Sequence, residues 1–330
     1  MKRKIYMSSL GKIKKPVETE MAEFEVYFGK TMQSDIPLLK IILNYIFRRK
    51  GKQMRPLLVF LTAKLNGVVS EKTHIAATFI ELLHTASLVH DDVIDEADER
   101  RGALSINALW NFKIAVLVGD YMLSKGMLIS VEKKCYDMLE IISEAVKKMS
   151  EGELLQLQKA RKHYISESDY LRIIQSKTAA LLSACTACGT QSTTDNVDTV
   201  RIMKEFGENI GFAFQIKDDL LDYENTGLTG KPSCNDIKER KITLPLIYAL
   251  EQAPYLKRQR IVKIVKSRKK TASEISEVIN FASEYGGLEY AEQRMNQYRN
   301  KALATLDTYP ESEAKNSLKE FIYYTTERKK

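Results

Sequence analysis

No proline occurs between Pro56 and Pro232, and this interval constrains the fold more than any other feature of the chain. A helix interior excludes proline, because the ring removes a donor and collides with the preceding turn, whereas strands and loops are normally punctuated by it. So long a proline-free run predicts helix after helix. Apolar residues recur within it at helical spacing, as in Leu57, Phe60, Leu61 and Leu65. Leu154 and Leu155 turning over to polar Gln158 fit the same period. Ser166 to Asp169 reads as a capping box opening "YLRIIQSKTAALLSACTACG", with Gly189 closing that helix. Asn66-Gly67 and the stretch from Asn225 to Pro232 are the clearest loops. With no β-rich run and no repeat, the expected fold class is all-α, a bundle of long helices.

The chain of 330 residues is long enough to bury a large core. Its hydrophobic content of 44% with mixed charges is that of a globular protein rather than a disordered one. A net charge of +8 suits nucleic acid, membrane headgroups or small phosphate compounds, and does not choose among them. Four cysteines are too few for a disulfide framework at this size. Cys185 and Cys188 form a C-x-x-C among small residues with no second pair for zinc, which predicts helix packing. Neither a signal peptide nor an apolar stretch long enough to span a bilayer is expected.

Against this basic background, residues 91–99 place six acidic side chains in nine positions. Asp91, Asp92 and Asp95 spell D-D-x-x-D directly after the apolar run "FIELLHTASLVH". On a helix such carboxylates share one face and repel each other unless a cation sits among them. An oxygen-only donor set selects a hard ion, and a few carboxylates completed by water and phosphate is the usual setting of Mg²⁺. The same pattern returns as Asp218, Asp219 and Asp222 in "FQIKDDLLD". With aspartate at about 6% of residues, roughly 0.07 copies are expected by chance in such a chain, so two copies point to function. Several cations call for an anionic counterpart, and diphosphate fits. Arg100 and Arg101 follow the first cluster and Lys231 the second, while Lys52 and Arg55 stand in "GKQMRP"; arginine forks and lysine point charges are the ligands diphosphate takes.

The chain resembles the trans-isoprenyl diphosphate synthases, or polyprenyl synthetases, from about residue 38 onward. The matching stretches occur in family order: "GKQMRP", "LLHTASLVHDDVIDEADERRG", "GDYMLSKG", "EGELLQ", "KTAALL", "GFAFQIKDDLLD" and "GKPSCNDIKERKITLPL". The resemblance implies an isoprenoid synthase fold with helices around a central active-site cavity, over residues 1–330 as one domain with 1–37 as an N-terminal extension. It also implies head-to-tail condensation of an allylic diphosphate with isopentenyl diphosphate, dependence on two to three Mg²⁺ ions, and a homodimer. By the same resemblance Lys52, Arg55, His84 and Arg101 would bind isopentenyl diphosphate. Arg100, Lys177, Lys231 and Lys241 would contact the allylic diphosphate. Asp91, Asp92 and Asp95 would hold two ions, and Asp218 a third with Asp219 and Asp222 supporting. Thr178 and Gln215 would sit near the reacting carbon.

In this family a bulky aromatic four or five residues before the first aspartate stops chain growth early. Ala86 and Ser87 stand there and are small, which by the resemblance implies hexaprenyl to octaprenyl or longer products, the alternative being a shorter-chain geranylgeranyl or farnesyl diphosphate synthase. Cys234 and Arg240 depart from the family, where glycine is usual. Eight basic residues between Lys257 and Lys270 read either as a solvated helix or as a contact with anionic lipid for a cytoplasmic, membrane-peripheral enzyme. Nucleic-acid binding is disfavoured by the acidic clusters and by the lack of a basic face interleaved with aromatics. A non-catalytic subunit of a heteromeric synthase typically lacks one aspartate motif, and both stand here. A terpene cyclase would not need "GKQMRP" with His84 and Arg101.

Overall fold

The structure is a computed structural model that describes residues 10–49, 51–100, 102–160, 165–224 and 235–328. Arg101, Lys231, Cys234 and the loop expected from Asn225 to Pro232 lie outside the described residues. The chain divides into two compact units. One comprises Met1–Val146, Ala184–Lys204 and Pro310–Leu318; the other comprises Lys147–Ser183, Glu205–Tyr309 and Lys319–Lys330.

After helical residues 10–14 and a 3-10 turn (Lys15–Val17), the first unit runs through α1 (Glu18–Thr31), α2 (Pro37–Arg48), α3 (Met54–Asn66) and α4 (Glu71–Ile94). Pro37 opens α2 at a position where no backbone donor is needed. In α3 the consecutive residues Leu57 to Leu61 are all fully buried, so this helix is enclosed on every side. Phe24 of α1 meets the Phe60 ring edge-on at 6.0 Å, which ties the N-terminal extension into the core. Ser70 and Thr73 cap α4 reciprocally. A two-residue hairpin, β1 (Glu99–Arg100) with β2 (Ala103–Leu104), leads to α5 (Ile106–Trp110) and α6 (Phe112–Glu132).

Two glycines seat α6 on α4. A Cβ at Gly119 would overlap the His90 ring, and one at Gly126 would overlap Phe79. The structure corrects one expectation here. Helix α6 is long and apolar enough, by length and composition, to cross a membrane. Leu117, Met127, Leu128 and Val131 stand exposed on it.

Helix α7 (Tyr136–Ala160) leads into the second unit with α8 (Glu167–Ile174) and a π-helical turn (Gln175–Ala179); most of α9 (Ala180–Gln191) returns to the first unit, and α10 (Val197–Tyr223) begins there and runs on into the second. Ser166 caps α8, its hydroxyl accepting from the Asp169 N–H at 3.2 Å, which is the N-cap half of the expected box. Gly189 does not close the helix, which runs on to Gln191. Its missing side chain instead admits the Val59 carbonyl and the Thr62 hydroxyl of α3, so tertiary packing rather than capping explains this glycine. Cys185 and Cys188 are fully buried free thiols, and burial pushes Cys185 up to about 12, which makes it inert packing.

The remainder is α11 (Asn235–Lys238), α12 (Leu244–Gln252), α13 (Tyr255–Lys266), α14 (Ala272–Glu284), α15 (Gly287–Asp307) and α16 (Glu313–Thr326). Tyr170, Ile174, Ala179, Phe212, Ile216, Leu244, Ile247 and Met295 form one buried cluster, which joins α8, the π turn, α10, α12 and α15. This cluster underlies the second aspartate motif.

Candidate active site

Both aspartate motifs sit at the C-terminal ends of long helices, α4 and α10, whose last turns carry no basic residue. The unpaired carbonyls there already present partial negative charge, so added carboxylates are doubly unfavourable without a cation. In α4 the Asp95 N–H donates to the Asp91 carbonyl at 2.8 Å, and Asp95 is the C-cap. The helix then stops in a Schellman arrangement: Ala97 N–H reaches Asp92 O at 2.9 Å and Glu96 takes the left-handed φ of 50°. Asp91 is half-buried and Asp95 exposed, while Asp92 is buried and accepts from Arg100 Nε at 2.5 Å. Burial raises the Asp92 pKa, and Arg100 opposes that rise. Arg100 is thus brought to the first motif.

Further up α4, His84 and Ala86 are buried and Ser87 is half-buried, its hydroxyl donating to the His84 carbonyl at 2.9 Å. Lys52 is exposed and Arg55 half-buried, on either side of the start of α3. Between them Gln53 is buried in a left-handed conformation, φ 54°, and its side-chain nitrogen finds no hydrogen-bond partner. His90 packs beside Gly119, with Asp120 and the Val116 carbonyl nearby.

The second motif is held differently. Asp218 pairs with the Arg328 guanidinium, which also covers the Phe214 ring at 4.5 Å. Asp219 is buried and both its oxygens are engaged: Oδ2 accepts from the Tyr170 hydroxyl at 2.6 Å, and Oδ1 from Gln215 Nε2 at 2.9 Å. Burial first, and then the charge of Asp236, push Asp219 up to about 8. Asp222 caps α11, accepting from the Asn235 and Asp236 N–H groups at 3.0 and 2.8 Å. Asp236 in turn is raised to about 6, by burial and then by Asp222.

Lys177 and Thr178 lie in the π turn, a helical irregularity that re-aims side chains. Gly152 of α7 approaches this turn so closely that a Cβ would overlap Ser176, and Glu153 pairs with Lys177. That accounts for the "EGE" of "EGELLQ". The Thr178 hydroxyl donates to Gln215 Oε1 at 2.7 Å. Lys241 pairs with Glu239 at 2.6 Å.

The donor set fits a hard divalent ion, being all carboxylate oxygen. Among the described residues no group of three or more acidic, histidine or cysteine side chains stands close enough together to hold a metal ion by itself.

Residues 36–282 match the family described as polyprenyl synthetase. The chain belongs to the polyprenyl synthetase family. As a member of it the protein is a prenyltransferase, with the all-α isoprenoid synthase fold that its structural relatives share. It is similar to an octaprenyl diphosphate synthase of Haemophilus influenzae, 33% identical over 98% of each chain. It is also similar to a polyprenyl synthase from Caulobacter crescentus solved with calcium and isoprenyl diphosphate, at 30% identity and a TM-score of 0.88 over 97% of this chain and 98% of that one. A geranylgeranyl pyrophosphate synthase from Bacteroides thetaiotaomicron is 37% identical with a TM-score of 0.83, over 97% of this chain and 100% of that one.

Tyr170, Glu153, Asp236 and Arg328 contact the candidate site residues and are not among those expected from the sequence. Glu153 carried a signal, since "EGELLQ" stands among the family motifs. Tyr170 and Arg328 lie 49 and 110 residues from the aspartates they touch, and no local pattern marks them.

Proposed function

We propose that the protein elongates an allylic diphosphate, farnesyl or geranylgeranyl, with successive isopentenyl diphosphates to an all-trans product of hexaprenyl to octaprenyl length or longer. The observation that carries this reading is Ala86. It is fully buried and small, little more than one turn before Asp91 on α4, where a large side chain would end chain growth. The similarity to octaprenyl diphosphate synthases supports it. A hydrophobic tail of this length suits a quinone side chain.

Lys52, Arg55, His84 and Arg101 would bind isopentenyl diphosphate, and Arg100, Lys177, Lys231 and Lys241 the allylic diphosphate. Asp91 and Asp95, with Asp92 held by Arg100, and Asp218, with Asp219 and Asp222 supporting, would hold two to three Mg²⁺ ions. Bound Mg²⁺ would supply Lewis-acid stabilisation of the leaving diphosphate. The Lys177 ammonium, steadied by Glu153, adds positive charge for the same anion. Ionisation of the allylic C–O bond leaves a carbocation, which the Thr178 oxygen and the Gln215 amide dipole stabilise without attacking it. The isopentenyl double bond then forms the new C–C bond, and the departing diphosphate takes the proton. No side-chain base is required.

A second copy of the chain would cover the exposed apolar face of α6, giving a homodimer. Exposed Tyr255 and Leu256 beside the basic residues of α13 would touch the cytoplasmic face of a membrane peripherally. Three of those basic residues already have protein partners: Lys257 with Glu284, Arg260 with Glu277, and Arg258 with the Glu251 and Ala253 carbonyls.

The test is incubation with labelled isopentenyl diphosphate, Mg²⁺ and either primer, followed by chromatography of the products. Chains of thirty or more carbons are expected. Arrest at twenty carbons would favour the second reading, a geranylgeranyl diphosphate synthase, to which the 37% identical Bacteroides structure points.

A further inference from the structure

The buried contacts of Asp219 lead away from the metal. One of its oxygens accepts from Tyr170 and the other from the Gln215 amide, whose carbonyl accepts from Thr178. These four side chains come from α8, the π turn and α10, and Tyr170 belongs to the buried cluster beneath them. From this chain we infer that Tyr170 is a positioning residue for the prenyl transfer, acting through Asp219 and Gln215 to fix the polarity of the Thr178 hydroxyl.

The argument turns on the amide of Gln215. An amide can present either its oxygen or its nitrogen to a neighbour, and a rotation of χ3 exchanges the two. An ionised Asp219 Oδ1 can only accept, so only the nitrogen satisfies it, and Gln215 Oε1 is left facing Thr178. The Thr178 proton is thereby committed to Gln215, and its oxygen keeps a lone pair for developing positive charge. With the amide reversed, Thr178 would accept from nitrogen and turn its own proton toward the cation, the wrong polarity for stabilisation. Asp219 can hold the amide only while its carboxylate is itself held. The Tyr170 hydroxyl does that at 2.6 Å, from a residue only 4% exposed. Tyr170 touches no reacting atom in this scheme.

The inference rests on the role proposed for Thr178, and a double-mutant cycle separates the two. Tyr170→Phe removes one oxygen and keeps the ring in its cluster. With isopentenyl and farnesyl diphosphates, Tyr170→Phe is expected to lower kcat about tenfold, the scale of one hydrogen bond to a charged group, and to leave both KM values within about twofold. In the Thr178→Val background, which is itself slow, the same change should cost less than about twofold, because the device it tunes is gone. Losses that multiply in the double variant overturn the relay and leave the Thr178 assignment standing. Wild-type kcat in Thr178→Val overturns that assignment, and the relay with it. Wild-type kcat in Tyr170→Phe overturns the relay alone. If Tyr170→Phe does not fold, Asp219→Asn reads the same coupling to Thr178→Val, with the same two outcomes.

Discussion

The two D-D-x-x-D motifs are identical in pattern and unlike in their surroundings. In the first, the middle aspartate is tied to Arg100 and the outer ones border solvent, with Asp95 at a helix cap. In the second, the middle and last aspartates are tied to the protein, one through Tyr170 and Gln215 and the other through two backbone N–H groups. Asp218 in that motif meets a side-chain cation, Arg328. A shared spelling therefore conceals a division of labour. Asp92, Asp219 and Asp222 hold structure around their motifs, and under the proposed function Asp91, Asp95 and Asp218 would meet the ions.

The division is open to test by comparing activity with stability. Asp95→Asn and Asp218→Asn should each lower kcat about 10²- to 10³-fold, the scale of losing one preorganised electrostatic contact, with little change in the melting temperature. Asp222→Asn should lower the melting temperature as well, because it weakens the cap on α11, worth about 1 kcal/mol. Steady-state kinetics beside thermal denaturation reads both. Equal stability losses in all three variants would erase the distinction.

Next in size is an effect on product rather than rate. Ala86→Phe should shorten the product distribution while initial turnover of farnesyl diphosphate persists, as read by chromatography. Ala86 is fully enclosed, so the larger ring also strains the packing, by about 1–3 kcal/mol. Ser87→Phe, at a half-buried position, is the gentler form of the same test. An unchanged distribution in both would dissociate chain length from this stretch of α4.

These contrasts show how far local pattern carries. The carboxylate spacing was readable because helix periodicity is local, and so were the Ser166 cap and the buried Cys185 and Cys188. Gly189, late in an apolar run, looks like a terminator until the α3 backbone is seen against it. The π turn under Lys177 and Thr178 left no sequence signal. The partners of Asp219 and Asp218 come from distant segments, and only the folded chain brings them together.

A pH titration of the metal-free protein weighs the motifs by their burial. Asp219 and Asp236 are raised in the folded state from 3.8 to about 8 and about 6. A carboxyl raised on folding favours the protonated protein, so its stabilising contribution is complete below pH about 4 and is lost as pH climbs through the folded values. The melting temperature should accordingly fall between pH 5 and 8. Asp219→Asn should flatten much of that slope, since an amide carries no charge to desolvate. A slope unchanged in Asp219→Asn would place the titrating group elsewhere.

The smallest expected effect concerns the ground on which Lys241 stands. Helix α11 ends in a Schellman arrangement, with Lys241 N–H on Asp236 O at 2.8 Å and Arg240 N–H on Ile237 O at 3.1 Å. Arg240 occupies the left-handed position of that motif, φ 62°. A side chain there costs about 1 kcal/mol, which glycine avoids, although glycine also gains freedom in the unfolded chain. Arg240→Gly should therefore raise stability by about 0.5 kcal/mol in denaturant titration and leave kcat unchanged. The first motif offers the control. Glu96 takes the same conformation at the end of α4, φ 50°, so Glu96→Gly should stabilise by a similar amount. A gain at Glu96 without one at Arg240 would mean that the arginine side chain contributes contacts worth as much as the strain it imposes.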